Sequence, residues 1–451
     1  MMETISLFDK YVTTVDKTDP QKFFGRVTRV QGLMIESLGP QAVVGELCQI
    51  QLSSQDHWVW AEVVGLHDRT VQLMPFEEVA GLEIGCRVKA LGETLKVPVS
   101  DRLLGRVLDG LGHPVDGKGD IGSGVFYPAV SLPPDALTRQ RITKKISTGV
   151  RAIDALIPLG KGQRLGIFAG SGVGKSTLLG MIAKNTNADV NVVALIGERG
   201  REVREFIENE LGAEGLARSV IVVSTSNTPA MARLRGAYVA TAIAEYFRDQ
   251  GKDVMLLFDS VTRFAYAQRE IGLAVGEPPA RQGYTPSVFS LLPKLLERSG
   301  TGATGSITGL YTILVDGDDM DDPIADAVRG ILDGHVVLSR RLADQSHYPA
   351  IDVLRSVSRL ANKITSPLSR EAFTIIRKHL AVYTQAEDLI NAGAYAPGSN
   401  PEIDLAIKKF KEITDFLIQG MDEKAPWLET LKRAATIAGL SLGSEDDEVV
   451  S

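Results

Sequence analysis

Eight consecutive residues constrain this chain more than any other feature: Ala169, Gly170, Ser171, Gly172, Val173, Gly174, Lys175 and Ser176. They follow an apolar run at 164–169 and open a helical stretch. Apart from alanine in the first position, this is the spacing of a phosphate-binding loop, and alanine is small enough to stand there. Glycines let the backbone curl so that successive N–H groups point inward at phosphate oxygens. The helix N-terminus adds favourable partial charge. In such a loop Lys175 reaches the β- and γ-phosphates of ATP, and Ser176 ligates Mg²⁺. Gly170 to Ser176, with Thr177, are therefore the expected nucleotide cradle. A glycine-rich turn without a ligand would not need the Gly-Lys-Ser ending at a strand-to-helix junction.

The surroundings of the loop fit this reading. Runs at 164–169, 191–197, 220–224 and 254–259 are almost continuously apolar. Strands buried on both faces of a parallel sheet read this way. Helical stretches at 201–211 and 231–249 lie between them, giving the βαβ signature of an α/β core. This core is expected to span 93–364.

The flanks differ from the core. Over 22–92, short β-rich runs at 25–30, 33–36, 58–64 and 70–74 are separated by Gly, Pro and Asp, which predicts a small β-barrel. Its six basic residues face eight acidic ones, so it is not expected to track nucleic acid. Beyond 365 strand signals fade and a helical domain, 365–451, is expected. Ile407, Phe410, Ile413 and Leu417 mark one apolar helix face, and 427–440 reads as another helix. The acidic tail, 444–451, is expected to be disordered. At the other end, Ile5, Phe8, Val12 and Val15 recur at helical spacing. That segment, 1–21, is either a terminal helix or a docking helix for a partner.

Two carboxylates join the loop on positional grounds. Asp259 ends the apolar run 254–259, and ligands bind at the C-terminal ends of parallel strands. It is read as the second magnesium-holding group, in preference to a simple helix cap. Glu198 follows the run 191–197 at the same sheet edge. Hydrolysis needs a group that orients and deprotonates water. From position alone, that role and a solvated turn glutamate stand level.

Bulk properties exclude several classes. The 451 residues are 44% hydrophobic and 23% charged, which suits ordinary globular domains. A net charge of −7 speaks against a general nucleic-acid binder. Cys48 and Cys86 form no CxxC pair, and the six histidines show no metal-ligand spacing. No apolar run approaches the ~18 residues of a membrane span, and the N-terminus lacks a signal-peptide pattern. A cytoplasmic protein, meeting membranes only through partners, is expected.

Longer motifs carry a family resemblance over most of the chain, about 25–440. The runs at 105–112, 148–154 and 349–358 resemble the rotary-type ATPases, the F-type α/β and V-type group. Within that group the runs at 33–37, 45–48, 197–206 and 317–326 resemble the flagellum-specific ATPases of the type III protein export apparatus. Injectisome ATPases are close relatives, and a transcription-termination RNA helicase is the alternative of another class.

The resemblance implies a RecA-like core between a β-barrel and C-terminal helices, and MgATP hydrolysis driving protein export. It implies that Glu198 is the catalytic glutamate with Arg199 beside it, that Arg263 helps bind the γ-phosphate, and that Tyr348 stacks on adenine. It implies that Arg359 is an arginine finger reaching into a neighbouring subunit's site. Glu198 and Arg359 lie on one chain, so a homohexamer can complete its own sites. Implied partners are a stator-like regulator at 1–21, a coiled-coil stalk, export-gate membrane proteins and chaperone–cargo complexes. The implied location is peripheral, at the inner face of the cell membrane.

Overall fold

The computed structural model describes Tyr11 and residues 23–52, 57–122, 124–315 and 322–441. The segment 1–18 (Tyr11 apart), the acidic run up to 321 and the tail 444–451 lie outside the described residues. The chain divides into two compact units. One runs to Leu95 and takes in Ala274–Gly276; the other comprises Lys96–Leu273 and the chain from Glu277 onward.

The first unit is a closed six-stranded barrel. Its strands are β1 (Phe24–Gln31), β2 (Met34–Leu38), β3 (Glu46–Gln51), β4 (Trp58–His67), β5 (Thr70–Pro75) and β6 (Arg87–Thr94). The order is β1-β2-β5-β4-β3-β6, and β1 pairs with β6 to close it. Alternation sends Val27, Ile35, Ile50, Ala61, Val63, Leu73 and Val88 inward, where they form one apolar core. The chain leaving β2 passes so close to β1 that a glycine is needed there. A Cβ on Gly25 would lie 2.0 Å from the Gly39 carbonyl oxygen. Both cysteines are free and buried here, and burial, helped by Glu46, pushes the Cys48 thiol up to about 12. Such a thiol stays protonated and packs as a small apolar group.

The second unit is built on a nine-stranded sheet. Its main strands are β7 (Arg106–Asp109), β8 (Arg164–Ala169), β9 (Val190–Ile196), β10 (Ser219–Ser224), β11 (Asp253–Asp259), β12 (Ser306–Leu314), β13 (Gly334–Val337) and β14 (Val357–Ser358). Their order is β14-β13-β8-β12-β11-β9-β10-β7, with Gly300–Thr301 pairing to β12 off this path. Every neighbouring pair from β13 to β7 is parallel, whereas β14 runs against β13 and Gly300–Thr301 runs against β12. Parallel order puts the C-terminal ends of β8, β9, β11 and β12 along one edge, where α/β sheets bind ligands. Strand β9 is buried at all seven positions, as expected of a strand covered on both faces.

The apolar runs read from sequence coincide with these strands to within a residue. The helix expected over 201–211 is interrupted: an α-helical turn at Gly200–Glu205 passes into a π-helical stretch at Phe206–Leu211. That stretch carries Glu210 to the Thr177 hydroxyl, 3.1 Å away.

Three helices follow residue 365: α1 (Pro367–Asn391), α2 (Pro401–Leu417) and α3 (Trp427–Ala438). They share one apolar core with the sheet, so Phe416 and Leu431 belong to the same cluster as Ile153 and Ile167. The expected face of α2 is rotated. Ile407 is 38% exposed, whereas Ala406, Ile413, Phe416 and Leu417 are buried. Adjacent helical positions differ by about 100°, so a seam through Ala406 turns Ile407 outward. Phe410 lies at the seam's margin and stacks on Tyr383 at 3.6 Å.

Candidate active site

Strand β8 ends at Ala169, and the chain curls through the loop into the helix Lys175–Asn185. The curl needs glycine: Gly172 has φ +76° and Gly174 φ +87°, where a side chain is strained. Val173 is buried and anchors the loop, while Ser171, Gly172 and Ser176 are exposed. Arg340 donates to the Ser171 carbonyl from outside the loop.

Lys175 meets both expected carboxylates. Its ammonium bonds to Asp259 Oδ1 and lies 3.3 Å from Glu198 Oε1, with only 12% of the side chain exposed. Burial alone would depress the Lys175 pKa, but Asp259 and Glu198 outweigh it and leave the value raised. Burial also acts on Glu198. Together with the nearby Asp259 charge it lifts that carboxyl to about 7, with Lys175 pulling the other way. A carboxylate poised there suits a general base near neutral pH.

Asp259 is held in turn. The Thr312 hydroxyl donates to Asp259 Oδ1 at 2.7 Å. Thr312 lies on β12, between the strand that leads to the loop and the strand that ends at Asp259. Ser260 accepts from Arg263 N at 3.3 Å, so Ser260 rather than Asp259 caps the following helix. This leaves the Asp259 carboxylate to the loop.

Arg263 borders the same corner. Its aliphatic stem lies where a Cβ on Gly197 would fall, 2.7 Å from Arg263 Cβ. Its Nε is buried without a hydrogen-bond partner, and its guanidinium stands 5.8 Å from the Tyr266 ring centroid. An orphaned guanidinium donor beside a phosphate loop is a donor awaiting an anion. Tyr348 lies on the loop's flank, its ring 3.6 Å from the position a Cβ on Gly174 would take, and 44% of it is exposed. Its carbonyl accepts from the buried Gln419 at 2.9 Å.

Two expected site residues stand apart. Arg199 is 75% exposed and turns to Glu202, 3.5 Å away. Arg359 follows β14 and lies at the opposite end of the sheet. Its N–H donates to the Asp333 carbonyl, and Asp333 N–H donates to the carbonyl of Arg164, the first residue of β8. Five residue steps along β8 separate Arg164 from Ala169, about 16 Å at strand spacing. An arginine side chain cannot cross that distance to its own loop. Arg359 is exposed, touching only the Arg329 carbonyl at 3.3 Å among the described hydrogen bonds.

Three contributors escaped the sequence reading: Thr312, Arg340 and Glu210. Thr312 is one of several hydroxyl residues on its strand, with Ser306, Thr308 and Tyr311, so it stands out only once the neighbouring strand is known. Arg340 and Glu210 carry no local signal, because their partners are set by the fold.

The donor set fits a nucleotide with magnesium. No described helix is long and apolar enough to span a membrane, and no three His, Cys, Asp or Glu among the described residues gather as a metal cage. A hard cation here would rest on Ser176 and Asp259, with phosphate oxygens completing its shell, as Mg²⁺ commonly does.

Comparisons with known proteins place most of the chain in one family. The model of the ATP synthase alpha/beta family nucleotide-binding domain matches residues 149–358. The same family's beta-barrel domain matches 27–92, and the T3SS EscN ATPase C-terminal domain matches 365–434. The chain is 57% identical to the flagellum-specific ATP synthase of Treponema pallidum, over 97% of this chain and 98% of that one. It is 51% identical to the type 3 secretion system ATPase of Xanthomonas euvesicatoria, over 92% and 94%. Among solved structures, the assembled ATPase EscN of enteropathogenic E. coli matches with a TM-score of 0.87 at 45% identity, over 92% of this chain and all of EscN. EscN in complex with its central stalk EscO matches with a TM-score of 0.85 at 44% identity, over the same shares.

Proposed function

We infer that this chain, which belongs to the type III export branch of the ATP synthase alpha/beta family, hydrolyses MgATP to energise flagellar protein export. One observation carries the chemistry: Lys175, Glu198 and Asp259 converge at the C-terminal edge of one parallel sheet. Lys175 exchanges its carboxylate partners for the β- and γ-phosphates when ATP enters. Arg263 supplies its free donor to the γ-phosphate, and Tyr348 stacks on adenine. Glu198 orients the attacking water and takes its proton. Bound Mg²⁺, held by Ser176 and Asp259, would neutralise charge on the phosphate oxygens.

The missing element is a cation on the far side of the γ-phosphate. A trans arginine stabilises the charge of phosphoryl transfer. Arg359 lies too far from its own loop and is exposed, so it serves the loop of a neighbouring copy. A closed homohexamer gives every site both parts. The assembled form and central stalk named for EscN support the same organisation here. Within the ring, 1–21 docks a stator-like regulator, 22–92 is the β-barrel domain, 93–364 turns over ATP and 365–451 receives the stalk and chaperone–cargo complexes. The assembly works at the cytoplasmic face of the membrane, delivering cargo to the export gate.

The match to EscN and to the Xanthomonas protein supports injectisome secretion as a second reading. Cells producing only the Glu198→Gln chain are expected to stop secreting flagellar hook and filament subunits. Normal flagellar secretion with loss of injectisome secretion would move the chain to the second reading. ATPase activity that requires RNA would move it to the helicases, against the acidic balance of the barrel.

A further inference from the structure

A polar cavity of about 180 Å³ borders the strand that leads to Arg359. Its polar lining includes Ser356, Ser358, Asn362, Thr374, Arg370 and Arg377, and no Asp or Glu lines it. Arg377 donates to the carbonyls of Leu156 at 3.3 Å and Ser356 at 3.2 Å. Arg370 donates to the carbonyls of Asn362 at 2.8 Å and Thr365 at 3.2 Å. Among the described residues neither guanidinium is ion-paired with a carboxylate. They satisfy part of their donor capacity on neutral oxygens; Asp352 acts on Arg377 from a distance but does not pair with it.

Arg370 is exposed at the cavity's rim, and Arg377 is half-buried. Half-burying the Arg377 guanidinium away from a paired carboxylate costs hydration, which an anion in the cavity would offset. Burial lowers the Arg377 pKa, with only Asp352 acting against it. Arg370 also stands in the first turn of α1, where the helix dipole disfavours a cation and favours an anion. Guanidinium forks match the oxygens of phosphate-type anions. The cavity is smaller than the ~300 Å³ at which pockets for drug-sized ligands begin, which suits one compact ion.

We propose that this cavity is a second anion site, holding one tetrahedral oxyanion of the phosphate class between Arg370 and Arg377. The oxyanion comes as free phosphate or as the phosphate of a nucleotide. Arg377 also holds the Ser356 carbonyl, three residues before Arg359. Occupancy therefore bears on the position of the finger strand; that consequence rests on the trans role of Arg359, whereas binding does not.

The test is calorimetric titration of the full chain with inorganic phosphate at constant ionic strength, chloride being the reference ion. Lys175→Ala silences the phosphate loop. In that background saturable phosphate binding is expected to remain. Adding Thr374→Glu, which sets a carboxylate in the cavity from an exposed position, is expected to abolish it. Adding Arg370→Gln is expected to weaken it about tenfold, the loss of one charge-assisted bond. Binding unaffected by ADP identifies free phosphate as the ligand, and binding displaced by ADP identifies the nucleotide's phosphate; both support the site. No saturable binding to Lys175→Ala, or unchanged binding in the Thr374→Glu and Arg370→Gln variants, would overturn it. Circular dichroism of each variant separates lost binding from lost folding.

Discussion

The two ends of the nucleotide-binding sheet treat charge in opposite ways. At the C-terminal edge, Lys175 is buried between Glu198 and Asp259, so its cation is balanced within the chain. At the N-terminal edge, Arg359 is exposed and bonds only to a carbonyl, with Arg329 and Arg355 close enough to act on the same histidine. The first edge is balanced while it waits for a nucleotide. At the second, Arg329 pairs with Asp326 at 3.0 Å, whereas Arg359 has no carboxylate partner among the described residues. The difference supports the proposed division of labour: a cation that cannot reach its own phosphate loop is available to the loop of a neighbouring copy.

The largest effects should come from the balanced edge. Lys175→Ala is expected to eliminate both ATP binding and turnover. Glu198→Gln is expected to eliminate turnover while ATP binding, read with a fluorescent nucleotide, persists. Wild-type turnover by Glu198→Gln would remove the glutamate from the chemistry. At the other edge, Arg359→Ala should lower kcat by roughly 10³–10⁵, the range for a trans arginine. ATP binding by the separate chain should not change. A smaller effect is expected at the support of Asp259. Thr312→Val removes one hydrogen bond to a charged group and should lower kcat about tenfold. An unchanged kcat would show that Asp259 holds its place without β12.

The pH response sharpens the same comparison. Glu198 must be ionised to accept a proton, and its pKa is lifted to about 7. Turnover at limiting ATP should therefore fall about tenfold per pH unit below 7 and level off above it. A flat profile between pH 5.5 and 7 would exclude Glu198 as the base. Stability moves the other way. A carboxyl raised in the folded state binds more protons there than in the unfolded chain. Stability therefore declines as pH rises from about 4.5 to 7. Glu198→Gln should accordingly raise the melting temperature at pH 8, with the gain fading toward pH 4.5.

Much of this was legible in the sequence, for reasons that differ between regions. The loop 169–176 is local: glycines, lysine and serine act within one turn, so a linear motif captures it. Strands such as β8 and β9 are buried on both faces, and their unbroken apolar runs announce them. The face of α2 was harder. Its seam is chosen by α1 and the sheet, so Ile407 turned out exposed and Ala406 buried. Thr312 and Arg340 act across strands and loops far apart in sequence, and only strand order reveals them. The finger was readable as a motif from the resemblance, but its separation from its own loop required the antiparallel pairing of β14.

Mixing two inactive chains tests the central claim most directly. Lys175→Ala keeps a sound Arg359, and Arg359→Ala keeps a sound phosphate loop. If the arginine acts between copies, co-assembly restores ATPase activity at those interfaces where one chain supplies the arginine and the other the loop. Activity should appear on mixing and rise with total concentration. A mixture as inactive as its components, under conditions where both assemble, would contradict the account.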